Sequence, residues 1–530
     1  MTQGVLPFKY EEEKKNFGTT ALCGMFLFLD LLHKMGFSKI VSNNLAAKED
    51  KQGWGDLQFL VCLILLNISG GDCIDDINHM ENDDGLRMVL KHLELRSAFG
   101  RRREKLKRQW RWRNGKKNSL PSPSAIFRYL LLFHDARQES IRASRLAQVQ
   151  VEAKGKGKGK VGKSFIPSSN AHLLGLSGIN KSMLEFLQLN NPVKVATIDM
   201  DATVVSSNKK EALYSYKKIK SYQPLNVWWY EQNYMLHTQF RDGNVPAHFG
   251  QKELFIEALD NLPEGVEEVY LRCDTAGYVH ELLKYCDAKE NKPFGRIGFA
   301  IGCDVVDEFK KSVYEVKEED WHPIYKEVNG ELKETTQEWT ELCYVPNEIS
   351  RSKKGCYFRY LATRELIRQK VLPGEEMEEL SQKSFSFPNV KLNDKNYKIY
   401  GIVTNLGWEG EKIIHWSRKR CGDSEHVHGQ MKEEFCGGQL PSGKFGVNAA
   451  WWWIMVLSLN LTSIMKRLAL SKGLINKRMK KIRFSIINIP GRVIRKGKEL
   501  IVRLSKGHPG FDLLVNCRRR IARLGALSPG

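Results

Sequence analysis

The sequence predicts an α/β chain of two or three domains, with a helical N-terminal region, a strand–helix–strand middle, a strand-rich stretch and a basic, helical end. Three observations carry this. At 530 residues the chain is too long for one ordinary core. Apolar residues recur at helical spacing near both ends and at strand spacing in the middle. The charge is +22, with 83 Lys and Arg against 61 Asp and Glu, and it changes abruptly at candidate boundaries. An excess of that size points to a polyanionic partner, because each phosphate contact releases counterions.

Residues 1–150 read as a helical DNA-binding region. Thr20–Met35 and Trp54–Ile68 carry apolar residues at helical spacing, and Gly70-Gly71 stops the second run. Arg101–Lys117 is dense in cations, with Trp110 and Trp112 between them. Arg101, Arg102, Arg103, Trp110 and Trp112 are therefore candidate DNA contacts, the other reading being a solvated cationic loop. Ser122 suits a helix cap and Pro123 a first helical position. The helix that follows, Ser124–His134, exposes Arg128 near its start, as the recognition helix of a helix-turn-helix would. Residues 151–190 form a basic linker around the low-complexity run Lys154–Lys163.

Residues 191–302 are the first part of a mixed strand-and-helix core, 303–405 are strand-rich, 406–470 are helical again and 471–530 are basic. The run Asn448–Met465 approaches the length of a membrane span but contains Asn448, Ser458, Asn460 and Ser463, which suits a buried helix better. The 11 cysteines include no C-x-x-C pair, so no zinc knuckle is expected. The N-terminus lacks the cationic start and apolar core of a secretory signal, and the expected location is the cytoplasm.

Three segments hold residues suited to chemistry. In Val195–Val205, Asp199, Asp201 and Thr203 share one strand face inside an apolar run. Two neighbouring carboxylates there are either neutralised by a cation or lie on an edge strand facing water. Val269–Asp274 reads as a strand ending in Asp274, followed by a helix with Val279, Leu282, Leu283 and Cys286 on one face. Strand C-termini in α/β sheets line the functional crevice. On a later helix, Arg418, Glu425 and Lys432 fall on one stripe at spacings of seven. That stripe suits either a metal-held carboxylate with phosphate-gripping neighbours or a salt-bridged surface helix. His426 and His428 are expected on other faces. Two strand aspartates and a helix glutamate would offer a hard cation the oxygen donors it needs.

With these residues in hand, the sequence resembles the DDE transposases of bacterial insertion sequences, in the group whose RNase H-like core is interrupted by a strand-rich insertion. The resemblance rests on IDMDATVV (198–205), YSYKKIKSYQPLNVWW (214–229), RDGNVPAH (241–248), VYLRCDTAGYVHELL (269–283), VTNL (403–406) and the stretch 420–451. It implies that Asp201, Asp274 and Glu425 are catalytic and hold Mg²⁺, with Mn²⁺ able to substitute. The insertion at 303–405 would account for the long gap between Asp274 and Glu425. In relatives the Glu helix also carries Tyr seven before, Arg four before and Lys seven after the Glu. Here Lys432 fits, but Arg418 and Cys421 stand at the other two positions. Trp416 and Arg420 look like the same pair displaced, which requires a local bulge or a shifted cap.

Asp199 is then expected to support the metal ligands from behind, paired with a basic residue of Lys217–Lys220. The implied activity is cut-and-paste DNA transposition at terminal inverted repeats by a synaptic homodimer, associated with the nucleoid and not with a membrane. A DNA-binding descendant without catalysis and a nuclease that does not join strands remain the alternatives.

Overall fold

The computed structural model describes residues 18–48, 53–96, 119–154, 165–289, 293–346, 358–367 and 387–527. The chain forms two compact units, each assembled from separated stretches. One comprises residues 1–136, 169–191 and 430–530, and the other 137–168 and 192–429.

The first unit is mainly helical. Its centre is the helix Phe445–Leu468, the one described helix long and apolar enough by itself to cross a membrane, yet its apolar window is fully buried by protein. Asn67 donates to Ser458 at 3.2 Å and Asn460 donates to Asn180 at 2.7 Å, so its interior polar groups find protein partners. Helices Asp56–Ser69 and Ala171–Asn190 pack on it. The first of these ends at Gly70, whose φ of 93° suits a residue without Cβ. The second, expected from sequence as linker, is a helix of 20 residues with its Leu and Ile positions largely buried. Ser122 accepts from the Ala125 amide and Pro123 opens the helix Pro123–Leu130, as its sequence predicts. A small sheet pairs Thr19–Thr20, where a helix start was expected, with Gly491–Lys496, which also pairs with Glu499–Arg503.

The second unit is built on a ten-stranded sheet. In chain order its strands are β1 (Val195–Ala202), β2 (Leu225–Trp229), β3 (Tyr234–Gln239), β4 (Glu268–Cys273), β5 (Gly298–Cys303), β6 (His322–Val328), β7 (Glu331–Leu342), β8 (Arg359–Leu366), β9 (Asn389–Leu392) and β10 (Lys395–Thr404). Across the sheet they run β6-β7-β8-β10-β5-β4-β1-β2-β3, with β9 also paired to β10. β1 is parallel to β4, and β4 to β5, while β2 is antiparallel to both β1 and β3. The strand-rich stretch therefore continues the same sheet, through the antiparallel pair β5–β10.

Helix α1 (His280–Asp287) buries Leu282, Leu283 and Cys286, as the spacing predicts. Helix α2 (Gly410–Arg418) packs on β5 and β7 so closely that a Cβ on Gly410 would meet the Trp339 ring. Ile413 and Ile414 of α2 join Ala300, Ile324, Leu361 and Ile402 in one apolar cluster, which ties the strands of 322–404 to the core.

Candidate active site

β1 lies in the middle of the sheet, so its acids are not on a water-facing edge. The parallel register sets Asp199 beside Arg272 of β4. Continued by two residues on the same face, that register brings Asp201 and Asp274 side by side at the C-terminal ends of adjacent strands. Asp274 also caps the short turn Thr275–Gly277, accepting from the Ala276 amide at 3.1 Å.

The two aspartates of β1 have different surroundings. Asp199 is 2% exposed and forms a bidentate pair with Arg272, both bonds at 2.7 Å. Arg272 is equally buried, donates to the Trp416 carbonyl at 2.9 Å and lies over the rings of Tyr230 and Trp416. The partner expected for Asp199, among Lys217–Lys220, is thus corrected to Arg272. A planar guanidinium matches a carboxylate bidentately in a way a lysine ammonium cannot. The sequence held the signal, since Arg272 precedes Asp274 by the same two residues that separate Asp199 from Asp201.

Asp201 is half-buried and faces a different set of charges. Burial pushes its carboxyl up, to about 6, and Asp274 and Glu425 push the same way, against the pull of Arg420 and the Ala202 amide. Arg420 sets Nη1 3.4 Å from Asp201 Oδ2. Burial opposes its charge, but Asp201 and Asp274 outweigh that and hold it firmly protonated. Glu425 is exposed on helix α3 (Arg420–Gly429).

α3 does not continue α2. Cys421 (ψ 128°) and Gly422 (φ 91°, ψ −43°) are non-helical, and the chain kinks there. A positive φ with open space around it suits glycine alone. Arg418 and Glu425 therefore do not share the expected stripe, because equal spacing aligns side chains only on an unbroken helix. Arg418 belongs to α2 and reaches Thr363 at 3.5 Å. Lys432 belongs to a π-helical turn, Gln430–Glu434, in the first unit. The kink lies between Arg420 and Glu425.

His428 was expected away from the site, yet it faces it. Its Nδ1 lies 3.9 Å from Asp201 Oδ2, and its Nε2 is 3.1 Å from the Asn226 amide nitrogen. It follows Glu425 by three residues, a spacing that shares a helix face. Asn226 is the cross-strand partner of Asp201 on β2 and accepts from Thr238 at 2.7 Å. Beside Asp274, a shallow depression of about 540 Å³ is lined by His248, Thr275, Tyr278, His280 and Asp304, among others.

The donors are carboxylate oxygens of the kind hard cations take. Among the described residues, no three His, Cys, Asp or Glu side chains are gathered closely enough to hold a metal ion, and the Arg420 guanidinium takes up the charge of Asp201 instead. Of the candidate DNA contacts, Arg128 is exposed on the helix Pro123–Leu130. Arg101, Arg102, Arg103, Trp110 and Trp112 lie outside the described residues.

The model of the family described as transposase DDE domain group 1 matches residues 18–526, almost the whole chain. The chain belongs to that family. No curated protein matches the sequence significantly. Membership in a transposase family implies DNA as a partner, and the excess of 22 positive charges suits it. The RDGNVPAH segment of this transposase has a structural task. Arg142 grips Asp242 through two bonds of 2.7 and 2.8 Å and also donates to the Glu211 carbonyl. A Cβ on Gly243 would strike the carbonyls of Ser221 and Leu213.

Proposed function

We propose that this transposase cuts DNA at the terminal inverted repeats of its element and joins the freed 3′ ends to target DNA, with Asp201, Asp274 and Glu425 as the acids that hold divalent metal. The observation that carries this is the parallel register that sets Asp201 beside Asp274 at the ends of adjacent strands, where burial first, and then Asp274 and Glu425, push the Asp201 carboxyl up to about 6 against the pull of Arg420. Such crowding is costly unless a cation relieves it. The order β3-β2-β1-β4-β5, with β2 antiparallel and the last three strands parallel, supports an RNase H-like core, and 303–405 is then the insertion.

Bound among these oxygens, Mg²⁺ or Mn²⁺ would supply Lewis acidity to the phosphate and to the attacking oxygen. The chain's own residues do the remaining work. Arg420 balances the acids and has further N–H groups to offer a phosphate oxygen. His428, steadied by Asn226, orients the Asp201 carboxylate. The Asp199–Arg272 pair fixes β1 against β4, and so fixes the spacing of Asp201 and Asp274. Arg128 and the cationic run Arg101–Lys117 are assigned to DNA contact. Joining two element ends calls for two copies, each with one site.

The test is a strand-transfer assay with a pre-cut element end, a plasmid target and Mg²⁺ or Mn²⁺. The wild type is expected to join, while Glu425→Gln binds the end but neither nicks nor joins. Nicking without joining would make the protein a nuclease, and binding alone would make it a DNA-binding descendant.

A further inference from the structure

The segment 205–222 contains a small sheet that the site does not use. Val205–Ser206 and Leu213–Tyr214 both pair with Lys220–Tyr222, and Leu213–Tyr222 forms a hairpin. Its tip turns at Ser215, which accepts from the Lys218 amide at 2.9 Å and donates its own amide to the Ile219 carbonyl. The base is rigid: Gly243 packs against its backbone, and the buried Arg142–Asp242 pair holds the Glu211 carbonyl.

The tip has an unusual surface. Tyr216 is 73% exposed and Tyr214 is 63% exposed, and Ile219 is exposed as well. Lys209, Lys210, Lys217, Lys218 and Lys220 lie around them, and among the described residues none of the five forms an ion pair. Lys217 sits 5.7 Å from the Tyr216 ring. Lys218 holds a φ of 59°, a turn position that glycine fills with less strain. Aromatic faces that gain nothing from protein packing, set among unpaired cations on a fixed support, match one kind of ligand. They suit unpaired bases stacking on the rings while the phosphates that follow meet ammonium groups. A closed duplex offers phosphates but no free base faces.

The hairpin also lies near the acids. Ser206, which pairs with Ser221, is five residues beyond Asp201, at most about 17 Å along extended chain. We propose that the Leu213–Tyr222 hairpin grips single-stranded DNA next to the site, stacking bases on Tyr216 and Tyr214 and holding phosphates with Lys217, Lys218 and Lys220. The proposal rests on the transposase reading of the site, but it concerns binding and not chemistry.

The experiment uses the full chain and two probes, a blunt duplex and the same duplex with a short single-stranded tail carrying 2-aminopurine. Wild type is expected to bind the tailed probe more tightly and to change the 2-aminopurine fluorescence. Tyr216→Ala should lose about tenfold in affinity for the tailed probe only, and Tyr216→Phe should retain it. Lys217→Gln should lower the salt dependence of tailed-probe binding by about one ion. The circular dichroism spectrum of each variant checks that it is folded. The proposal is overturned if wild type does not prefer the tail, if Tyr216→Ala binds it as wild type does, or if both probes weaken equally. If the tail preference depends on Tyr216 while no strand is cut under any metal, the hairpin inference stands and the cleavage reading falls.

Discussion

Replacing Asp199 by Asn separates a structural acid from the one proposed to hold metal. The change keeps the shape of the side chain and removes its charge, leaving the Arg272 guanidinium buried at 1% exposure with an amide in place of its bidentate partner. Breaking a buried ion pair from one side costs about 3–5 kcal/mol. The Trp416 carbonyl and the rings of Tyr230 and Trp416 soften that cost only in part, because none carries a full negative charge. With two units, unfolding need not be one step, so a local readout is better than one melting temperature. Amide hydrogen exchange followed on peptides from Val195–Ala202 and Glu268–Cys273 supplies it. A loss of 3–5 kcal/mol accelerates exchange through opening of this sheet by roughly two to three and a half orders of magnitude. Asp201→Asn is the contrast. It removes a charge that its surroundings already disfavour, so protection should be equal or greater while cleavage is lost. Unchanged protection in Asp199→Asn together with complete loss of cleavage would refute the reasoning and make Asp199 a metal ligand.

Other variants probe the helices around the site. Glu434→Gln, unlike Glu425→Gln, should destabilise the protein in urea denaturation by about 1–3 kcal/mol, because Glu434 is buried against Arg478 at 2.5 Å. Gly422→Ala meets no neighbouring atom but cannot hold a φ of 91° without strain of about 1–2 kcal/mol. Its activity should fall more than its stability, as Glu425 and His428 move with α3, and parallel nicking and denaturation assays would show this. Burial lowers the Lys466 ammonium to about 8 against the pull of Glu434. Between pH 8 and the ordinary lysine value near 10.4 the unfolded chain binds more protons than the folded one, so this group's penalty fades as pH rises. Lys466→Met removes that penalty but also the bond that Lys466 donates to the Lys477 carbonyl at 2.7 Å, so the stability of the variant relative to wild type should fall between pH 7 and pH 10, as denaturant midpoints at both values would reveal.

Much of the local structure was legible in the sequence because its causes are local. Ser122 and Pro123 mark a helix start through hydrogen bonding and a fixed φ, and Gly70 marks an end through its positive φ. The polar residues within the apolar run at 448–465 argue for burial in protein, and Asn180, Asn67 and other groups meet them. Asp201 and Asp274 stood out because each ends a strand. The alignment of Arg418 with Glu425 failed because it assumed one helix, while Cys421 and Gly422 break the chain's regularity between them. The pairing of Asp199 with Arg272 was hinted at by the matching two-residue spacings to Asp201 and Asp274, but only the register of the two strands, a tertiary property, decides it. The linker expected at 151–190 gave way to the helix Ala171–Asn190 because its apolar face is covered by residues almost 300 positions away, such as Asn460.

The last of these distances has a consequence for how the protein is made. Asn67 and Ser458, which meet in the first unit, are 391 residues apart. At ordinary rates of synthesis, roughly 20–80 s pass between their emergence from the ribosome. Until then, the apolar side of Asp56–Ser69 has no Phe445–Leu468 to cover it. Asp56–Ser69 is thus finished only once Phe445–Leu468 has been made, and a product released before residue 445 leaves that helix without its cover.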